Sequence, residues 1–336
     1  MCIRDRDTKD RIQIIDAIKG LAIISVILLH ILPGIVLNYT YSSFHIGQAV
    51  PIFLFISFYL SFKGIKDRGD SLLNYFNKRR IGRLLKQVVF PYFIVVICQM
   101  IITLLRSDNA LEISDICHRL VGEGPGSYYL WVYLQIWLII PFVYLFLKRY
   151  KCLGLFLVLL VCLTLNYCCV RASVSEGLYR LTCIRYLFLS VPAYMFLSLK
   201  QYNKYIVLFC VIGSLLYLTI LQNMNLSPFI LDYGWASQQW PAYFWTLALF
   251  IFLQRGVSVL DSSGKLFTFL CWLGCNSWYI FITQMFILSY INPYWLILSQ
   301  NAVVNIVLSI FLVSFLSIIP ALIIDYIKKR RMSLHE

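Results

Sequence analysis

Two ionisable residues lie eleven positions apart in the first hydrophobic segment, and their types suit acid–base chemistry. Lys19 begins this segment and His30 ends it, with only Ser25 polar between them. On a helix, eleven residues return to within roughly 20° of the same direction, about 16 Å further along the axis. Asp16 precedes Lys19 by three residues and can pair with it. Because ionisable groups are costly inside a membrane, we interpret this face as functional. The alternative is a histidine near the outer interface that only hydrogen-bonds a neighbouring helix.

A second group of candidate residues lies in the densest basic run of the chain, residues 77–86. Arg80 and Arg83 are three residues apart, so their guanidinium groups can converge on one helix face. Convergent arginines bind phosphate groups through paired hydrogen bonds. The alternative is a topology anchor that contacts anionic lipid headgroups.

The composition places these residues in a membrane protein. Of the 336 residues, 60% are hydrophobic and 13% are charged, whereas ordinary globular chains carry about 25% charged residues. A membrane span needs about 20 mainly apolar residues, and we identify ten such runs. They are residues 14–36, 46–64, 86–106, 127–147, 152–170, 184–200, 204–222, 238–254, 266–289 and 302–325. We therefore predict an all-α polytopic membrane protein with about ten transmembrane helices.

The net charge of +14 is distributed unevenly along these runs. With the N-terminus inside, almost all of the 29 Lys and Arg residues fall on the cytoplasmic side. The exceptions are Arg106, Arg119, Arg171, Arg180 and Arg185. This asymmetry predicts that both termini are cytoplasmic. It also assigns the basic excess to topology and to contact with membrane lipid, so we expect no nucleic-acid partner.

The remaining organisation is simple. We expect a tail at residues 1–10, a transmembrane domain at 11–327 and a cytoplasmic basic tail at 328–336. Residues 1–6 resemble a translated adapter sequence, and we treat them as a sequencing artefact. The 11 cysteines form no Cys-x-x-Cys pair, and most lie inside apolar runs, so no metal site is expected.

These residues together resemble the integral-membrane acyltransferase family 3, bacterial O-acyltransferases that mostly modify surface polysaccharides. The family has Arg or Lys, ten residues and then His in its first span, and Lys19 and His30 fit that spacing. It also has Arg-x-x-Arg at the start of its third span, which Arg80 and Arg83 match. Similar stretches continue at residues 47–57, 129–141, 185–188 and 273–281. Two positions depart from the family, Phe58 in place of a frequent glycine and Gln284 in place of a frequent histidine.

The resemblance implies transfer of an acetyl group from acetyl-CoA to a hydroxyl of a cell-surface polysaccharide or its lipid-linked precursor. Acetyl-CoA would be a co-substrate, with no bound cofactor, and the carbohydrate would be the acceptor. The implied location is the bacterial cytoplasmic (inner) membrane, crossed several times. A polytopic transporter, flippase or polymerase of envelope glycans is the alternative, since such proteins also carry isolated intramembrane charges.

Within that chemistry the residues take expected roles. His30 is either a general base or a carrier of the acyl group. Lys19, paired with Asp16, contacts the CoA phosphates or stabilises the thioester oxyanion. Arg80 and Arg83 bind the donor. On the acceptor side we single out Trp131 and Arg185, because aromatic faces with a few charges suit sugar rings; an aromatic belt at the membrane interface is the alternative.

Overall fold

The elements that the structure describes are helices. The structure, a computed structural model, describes residues 13–69, 75–106, 120–121, 124–198, 202–224, 236–261, 264–291 and 301–333, and no strand occurs in these ranges. The α-helices are α1 (Gln13–Ile31), α2 (Gly34–Tyr39), α3 (Ala49–Lys66), α4 (Lys78–Leu84), α5 (Phe90–Arg106), α6 (Tyr129–Arg171), α7 (Glu176–Arg180), α8 (Ile184–Leu187), α9 (Ser190–Leu197), α10 (Lys204–Met224), α11 (Tyr243–Ser258), α12 (Lys265–Tyr290) and α13 (Ala302–Ser333). A π-helical segment, Leu85–Val89, joins α4 to α5.

Seven helices within the described ranges are long and apolar enough to cross a membrane. They are Gln13–Ile31, Ser42–Lys66, Lys78–Leu105, Tyr129–Arg171, Lys204–Gln222, Lys265–Tyr290 and Ala302–Ile327. The protein is therefore a multi-pass, all-helical membrane protein. The other expected spans correspond to the second half of α6, to α8 and α9 together, and to α11. The total of ten and the cytoplasmic position of both termini stay predictions.

The 43-residue helix α6 contains a reversal of the chain at Lys151, whose φ is 45° and ψ −122°. Gln135 donates to the carbonyl of Leu181 at 2.7 Å, and Asn166 accepts from the hydroxyl of Tyr179 at 2.7 Å. A straight helix would hold Gln135 and Asn166 about 46 Å apart. Since their partners are only two residues apart, the halves of α6 must lie side by side. The fourth and fifth expected spans correspond to these two halves.

The expected span at 184–200 is different, because the chain there forms two short helices and not one. Helix α8 ends at Leu187, and α9 begins at Ser190 after two residues in a turn. Pro192 lies in the first turn of α9, where a missing backbone N–H costs little. The proline thus favours a new helix start at this point over continuation of α8.

The chain divides into two compact units. The first contains Met1–Val36, Arg83–Ser127 and Leu260–Glu336, and so includes α1, α5, α12 and α13. The second contains Leu37–Gly82 and Tyr128–Val259, and so includes α3 and α6 to α11.

The first unit is organised by an unusually close contact between α1 and α12. A Cβ atom added to Gly274 would lie 1.7 Å from the carbonyl oxygen of Asp16, and one added to Gly20 would lie 2.2 Å from the carbonyl oxygen of Leu270. No side chain fits at either position, so the two backbones touch directly. Small residues at such crossings are the usual basis of helix association in membranes.

Side-chain contacts along this crossing define the direction of the helices. The thiol of Cys271 donates to the carbonyl of Gln13 at 3.3 Å, and the amide of Gln284 donates to the carbonyl of Val26 at 3.4 Å. The contact nearer the start of α1 involves the start of α12, and the contact nearer the end of α1 involves a later part of α12. The two helices are therefore parallel. In the ten-span arrangement these are the first and ninth spans, which would also run in the same direction.

The second unit has a polar layer at one end of its helices. The side-chain amide of Gln48, before α3, donates to the carbonyls of Ser43 at 2.9 Å and Ser237 at 3.1 Å. Its oxygen accepts from Thr246 of α11 at 2.7 Å. Gln48 is fully buried, and all its hydrogen-bonding groups have partners, which is what a structural polar residue requires.

Candidate functional site

Helix α1 is unbroken and carries three of the predicted site residues, Asp16, Lys19 and His30. It ends at Ile31 and not at residue 36 as expected, because Pro33 disfavours helical geometry at the residue before it. His30 consequently lies in the last turn, and Lys19 lies near the opposite end. The unbroken helix keeps the predicted face, with the two residues about 16 Å apart along the axis.

Lys19 and Asp16 form the ion pair that their spacing predicts. Lys19 Nζ lies 3.3 Å from Asp16 Oδ1, and the two side chains are only 5% and 7% exposed. The thiol of Cys275, on α12, lies 3.7 Å from Asp16 Oδ2 and donates to it. Since burial of an isolated charge is very costly, the pair keeps both charges inside the helix bundle. Cys275 was not singled out from the sequence, where it looks like another small apolar residue.

His30 differs from this pair in having no hydrogen-bond partner among the residues that the structure describes. The residue is half-buried, and no hydrogen bond reaches its imidazole from any part of the chain that the structure describes. The alternative role of His30 was a hydrogen bond to a neighbouring helix. The described residues contain no such bond. Both ring nitrogens are available to exchange a proton with another group.

Polar groups of α5 and α12 gather towards the same end of the first unit. The amide of Gln99, on α5, donates to the hydroxyl of Ser289 at 2.8 Å, and the Tyr290 hydroxyl donates to the carbonyl of Gln99 at 3.1 Å. These bonds tie α5 to the last turns of α12. The sequence near each residue does not indicate these contacts, because the two partners of each hydrogen bond are nearly two hundred positions apart.

A glycine turn packs against the same stretch of α12. Gly124 and Gly126 have positive φ angles of 96° and 87°, a region that favours glycine. A Cβ at Gly124 would lie 2.4 Å from the carbonyl oxygen of Met285, and one at Gly126 would lie 2.8 Å from the ring of Phe281. The turn therefore closes onto α12 only because both residues lack side chains.

The basic run forms the start of a helix, which begins at Lys78 and so precedes the span expected at 86–106. Asn77 caps α4, because its Oδ1 accepts the backbone N–H of Arg80 at 2.9 Å. Arg80 and Arg83 are half-buried and one helical turn apart. The guanidinium of Arg80 lies 4.0 Å above the ring of Tyr75, a cation–π contact.

The π-helical segment after this turn was not predicted. Leu85–Val89 is wound more widely than an α-helix, with hydrogen bonds that span five residues and not four. The boundary between the two units also falls here, after Gly82, so Arg80 belongs to the second unit and Arg83 to the first.

The two predicted acceptor residues lie in the second unit. Trp131 is half-buried near the start of α6. Arg185 is only 5% exposed, and its guanidinium lies 5.6 Å and 6.0 Å from the ring centres of Tyr179 and Tyr186. Burial raises the pKa of Tyr179, so its hydroxyl stays a hydrogen-bond donor at neutral pH.

These features define a multi-pass membrane protein in which one helix carries a buried ion pair and a histidine with no hydrogen bond among the described residues. Residues 12–326 match the family model described as an acyltransferase domain, and the chain therefore belongs to the integral-membrane acyltransferase family 3. A comparison with curated proteins finds no match, and a comparison with solved structures also finds none.

The ion pair makes a prediction about stability. Lys19→Met should remove the Lys19 ammonium from beside the buried Asp16 carboxylate, and breaking such a pair costs about 3–5 kcal/mol. The double variant Asp16→Leu/Lys19→Met removes both charges and should recover much of that loss. Thermal midpoints of the purified protein in detergent measure both effects. A double variant less stable than Lys19→Met alone would show that the pair is not the source of the cost.

Proposed function

We propose that the protein transfers an acetyl group from acetyl-CoA to a hydroxyl of a cell-surface polysaccharide or its lipid-linked precursor. Membership of the family supports acyl transfer by a membrane enzyme. The observation that carries the assignment of the site is the state of His30. It is half-buried, it has no hydrogen bond within the described residues, and it shares a helix face with the buried pair of Asp16 and Lys19.

A sugar hydroxyl is a poor nucleophile, so the reaction needs a base near neutral pH, and histidine is the usual one. In the direct route, His30 takes the hydroxyl proton while the oxygen attacks the thioester carbonyl. It then gives that proton to the departing CoA thiolate. In the relay route, a nitrogen of His30 first attacks the thioester carbonyl and displaces the CoA thiolate, which takes up the proton of the acetyl-imidazolium. The sugar hydroxyl then attacks the acetyl group on His30, and its proton passes to the released imidazole. Both routes need an imidazole nitrogen that no protein group occupies.

The distance between Lys19 and His30 suits a donor of this shape. The two residues are about 16 Å apart along α1, which is comparable with the length of an extended pantetheine arm. A CoA molecule with its phosphates towards the Lys19 end could thus present its thioester at His30. In this arrangement Lys19 would contact the phosphates, while Asp16 holds its ammonium group in place. Stabilisation of the thioester oxyanion by Lys19 is the other role open to it.

Arg80 and Arg83 are proposed to bind the phosphates of the donor. Cations in the first turns of a helix work against its dipole, so helix stability alone does not favour the basic run of α4. An anionic partner would account for it, and bidentate arginines suit phosphate groups well. Lipid headgroups share this phosphate chemistry, and membrane lipid is therefore the competing partner at this turn.

Trp131 and Arg185 are proposed to contribute to the acceptor side. Arg185 lies among tyrosine rings, and Trp131 offers an aromatic face at the start of α6, a combination that suits a sugar ring with polar substituents. We place the protein in the cytoplasmic membrane of a bacterium, where a cytoplasmic donor and an envelope glycan are both within reach.

A transporter of envelope glycans is the second candidate function. The break between α8 and α9, beside the buried Arg185, is a feature that transporters use at binding sites near the membrane midplane. The two functions differ in one respect that can be measured: only the enzyme forms new ester bonds on the glycan.

The proposal predicts that His30→Gln abolishes acetylation. Glutamine keeps a polar side chain of similar reach, but it neither accepts a proton near pH 7 nor carries an acetyl group. Loss of a general base alone reduces a rate by about 10²–10⁴. The measurement is the O-acetyl ester content of the surface polysaccharide in cells that contain only the variant.

The matched control for this experiment is His45→Gln. The ring of His45 already bonds the carbonyl of Thr40 at 2.7 Å in an exposed turn, so this change should leave ester content unaltered. Both variants should reach the normal protein level in the membrane. Near-normal ester content with His30→Gln would reject the catalytic assignment and favour the transporter.

A separate prediction concerns the donor. Arg83→Ala and Arg80→Ala should each weaken acetyl-CoA binding by about tenfold or more, the loss expected for one charge-assisted contact of about 1.5–3 kcal/mol. Arg79→Ala removes the same charge from the exposed side of α4 and serves as the control. Isothermal titration of the purified protein with acetyl-CoA measures the three affinities. Equal affinities with reduced membrane insertion would identify the run as a topology anchor.

A further inference from the structure

Gln284 of α12 has an unused hydrogen-bond acceptor in the interior of the first unit. Its side chain is 1% exposed, and its amide nitrogen donates to the carbonyl of Val26 at 3.4 Å. Its Oε1 is buried and accepts no hydrogen bond from any group that the structure describes. A buried polar atom without a partner is costly, and native proteins rarely keep one without a reason.

A second glutamine of the same unit shows what the ordinary arrangement looks like. Gln99 of α5 is also 1% exposed, and its amide nitrogen donates to Ser289 at 2.8 Å in a contact that joins two helices. The side chain of Gln99 is explained by packing. Packing between helices does not explain the long 3.4 Å hydrogen bond of Gln284, nor its Oε1, which has no hydrogen-bond partner among the described residues.

The position of Gln284 relative to α1 suggests the missing donor. In an α-helix the carbonyl of residue 26 accepts the backbone N–H of residue 30, so Gln284 contacts the helical turn that ends at His30. Side chains on a helix lean towards its N-terminus, which directs the imidazole of His30 back over the turn of Val26. Gln284 lacks a donor for its oxygen, and a neutral imidazole carries one N–H that has no acceptor among the described residues.

We propose that Gln284 is a positioning residue for His30, an inference that rests on the function proposed above. In the donor-bound enzyme, Oε1 of Gln284 accepts the N–H of one imidazole nitrogen. The other nitrogen then presents its lone pair to the acceptor hydroxyl. When that nitrogen takes the hydroxyl proton, the imidazolium keeps its bond to Gln284, and the proton later leaves with the CoA thiolate. An amide oxygen that orients a catalytic histidine plays a comparable part in papain-like proteases, where an asparagine supplies it.

The test compares Gln284→Met with Gln99→Met, two changes that remove an equally buried amide and keep its volume. Membranes that contain each variant are supplied with radiolabelled acetyl-CoA, and label in polysaccharide esters is counted per amount of protein. Gln284→Met should lower kcat by at least about tenfold with an unchanged KM for acetyl-CoA. Gln99→Met should lower the thermal midpoint and leave kcat unchanged. Gln284→Glu, which keeps an acceptor oxygen at the same reach, should restore most of the kcat lost with methionine.

The outcomes separate this inference from the function on which it rests. If His30→Gln is inactive but Gln284→Met has a normal kcat, the positioning role is wrong and the catalytic histidine stands. If His30→Gln is active, the proposed catalytic role of His30 is wrong, whatever the result with Gln284→Met. If Gln284→Met does not accumulate in the membrane, Gln284→Asn tests the positioning role in its place. This variant keeps the amide group and shortens its reach by one methylene. Reduced kcat at normal protein level then supports positioning, and a normal kcat overturns it.

Discussion

The direct backbone contact between α1 and α12 is the constraint on which the rest of the first unit depends. Lipid chains are as apolar as leucine, so helices in a membrane gain little from hiding apolar side chains and associate by close packing instead. Gly274 permits this packing, since any Cβ there would overlap the carbonyl of Asp16. The contact places Cys275 beside Asp16 at one end of α1 and Gln284 beside Val26 nearer the other.

The ionisable groups of α1 lie in two different environments. Asp16 and Lys19 are buried together, and each charge is balanced by the other and by polar neighbours. His30 is left without a hydrogen bond in the described residues, which a neutral imidazole tolerates far better than a charged group would. A histidine that can become charged only when it takes a proton is suited to act as a base. The ion pair holds two opposite charges in fixed positions, whereas the charge of His30 would change in the proposed reaction.

Much of this could be predicted from the sequence where the relevant contacts are local. The pairing of Lys19 with Asp16 follows from a spacing of three on a helix, and the common face of Lys19 and His30 follows from helical periodicity. The helical, multi-pass fold follows from the length and apolarity of the hydrophobic runs, and the family follows from the order of its motifs. These signals depend only on residues close together in the chain.

The features that could not be predicted depend on residues far apart or on backbone geometry. Gln284 and Val26 are 258 positions apart, and nothing in either local sequence indicates that they meet. The break between the spans at residues 148–151 was predicted, but the positive φ angle of Lys151 that makes it was not, because lysine rarely adopts such an angle. The sequence places Arg185 on an outer segment, but it does not indicate that the side chain is buried among tyrosine rings.

The packing of α1 against α12 depends on the contact at Gly274, and the most direct measurement changes that contact. Gly274→Ala adds one methyl group where there is no room, whereas Gly213→Ala, on α10, adds the same group where no atom lies within 4 Å. The O-acetyl ester content of the surface polysaccharide is compared in cells that contain each variant. We expect esters to be lost with Gly274→Ala and retained with Gly213→Ala. Normal ester content with Gly274→Ala would contradict the account, because acyl transfer would then not depend on the approach of α12 to α1.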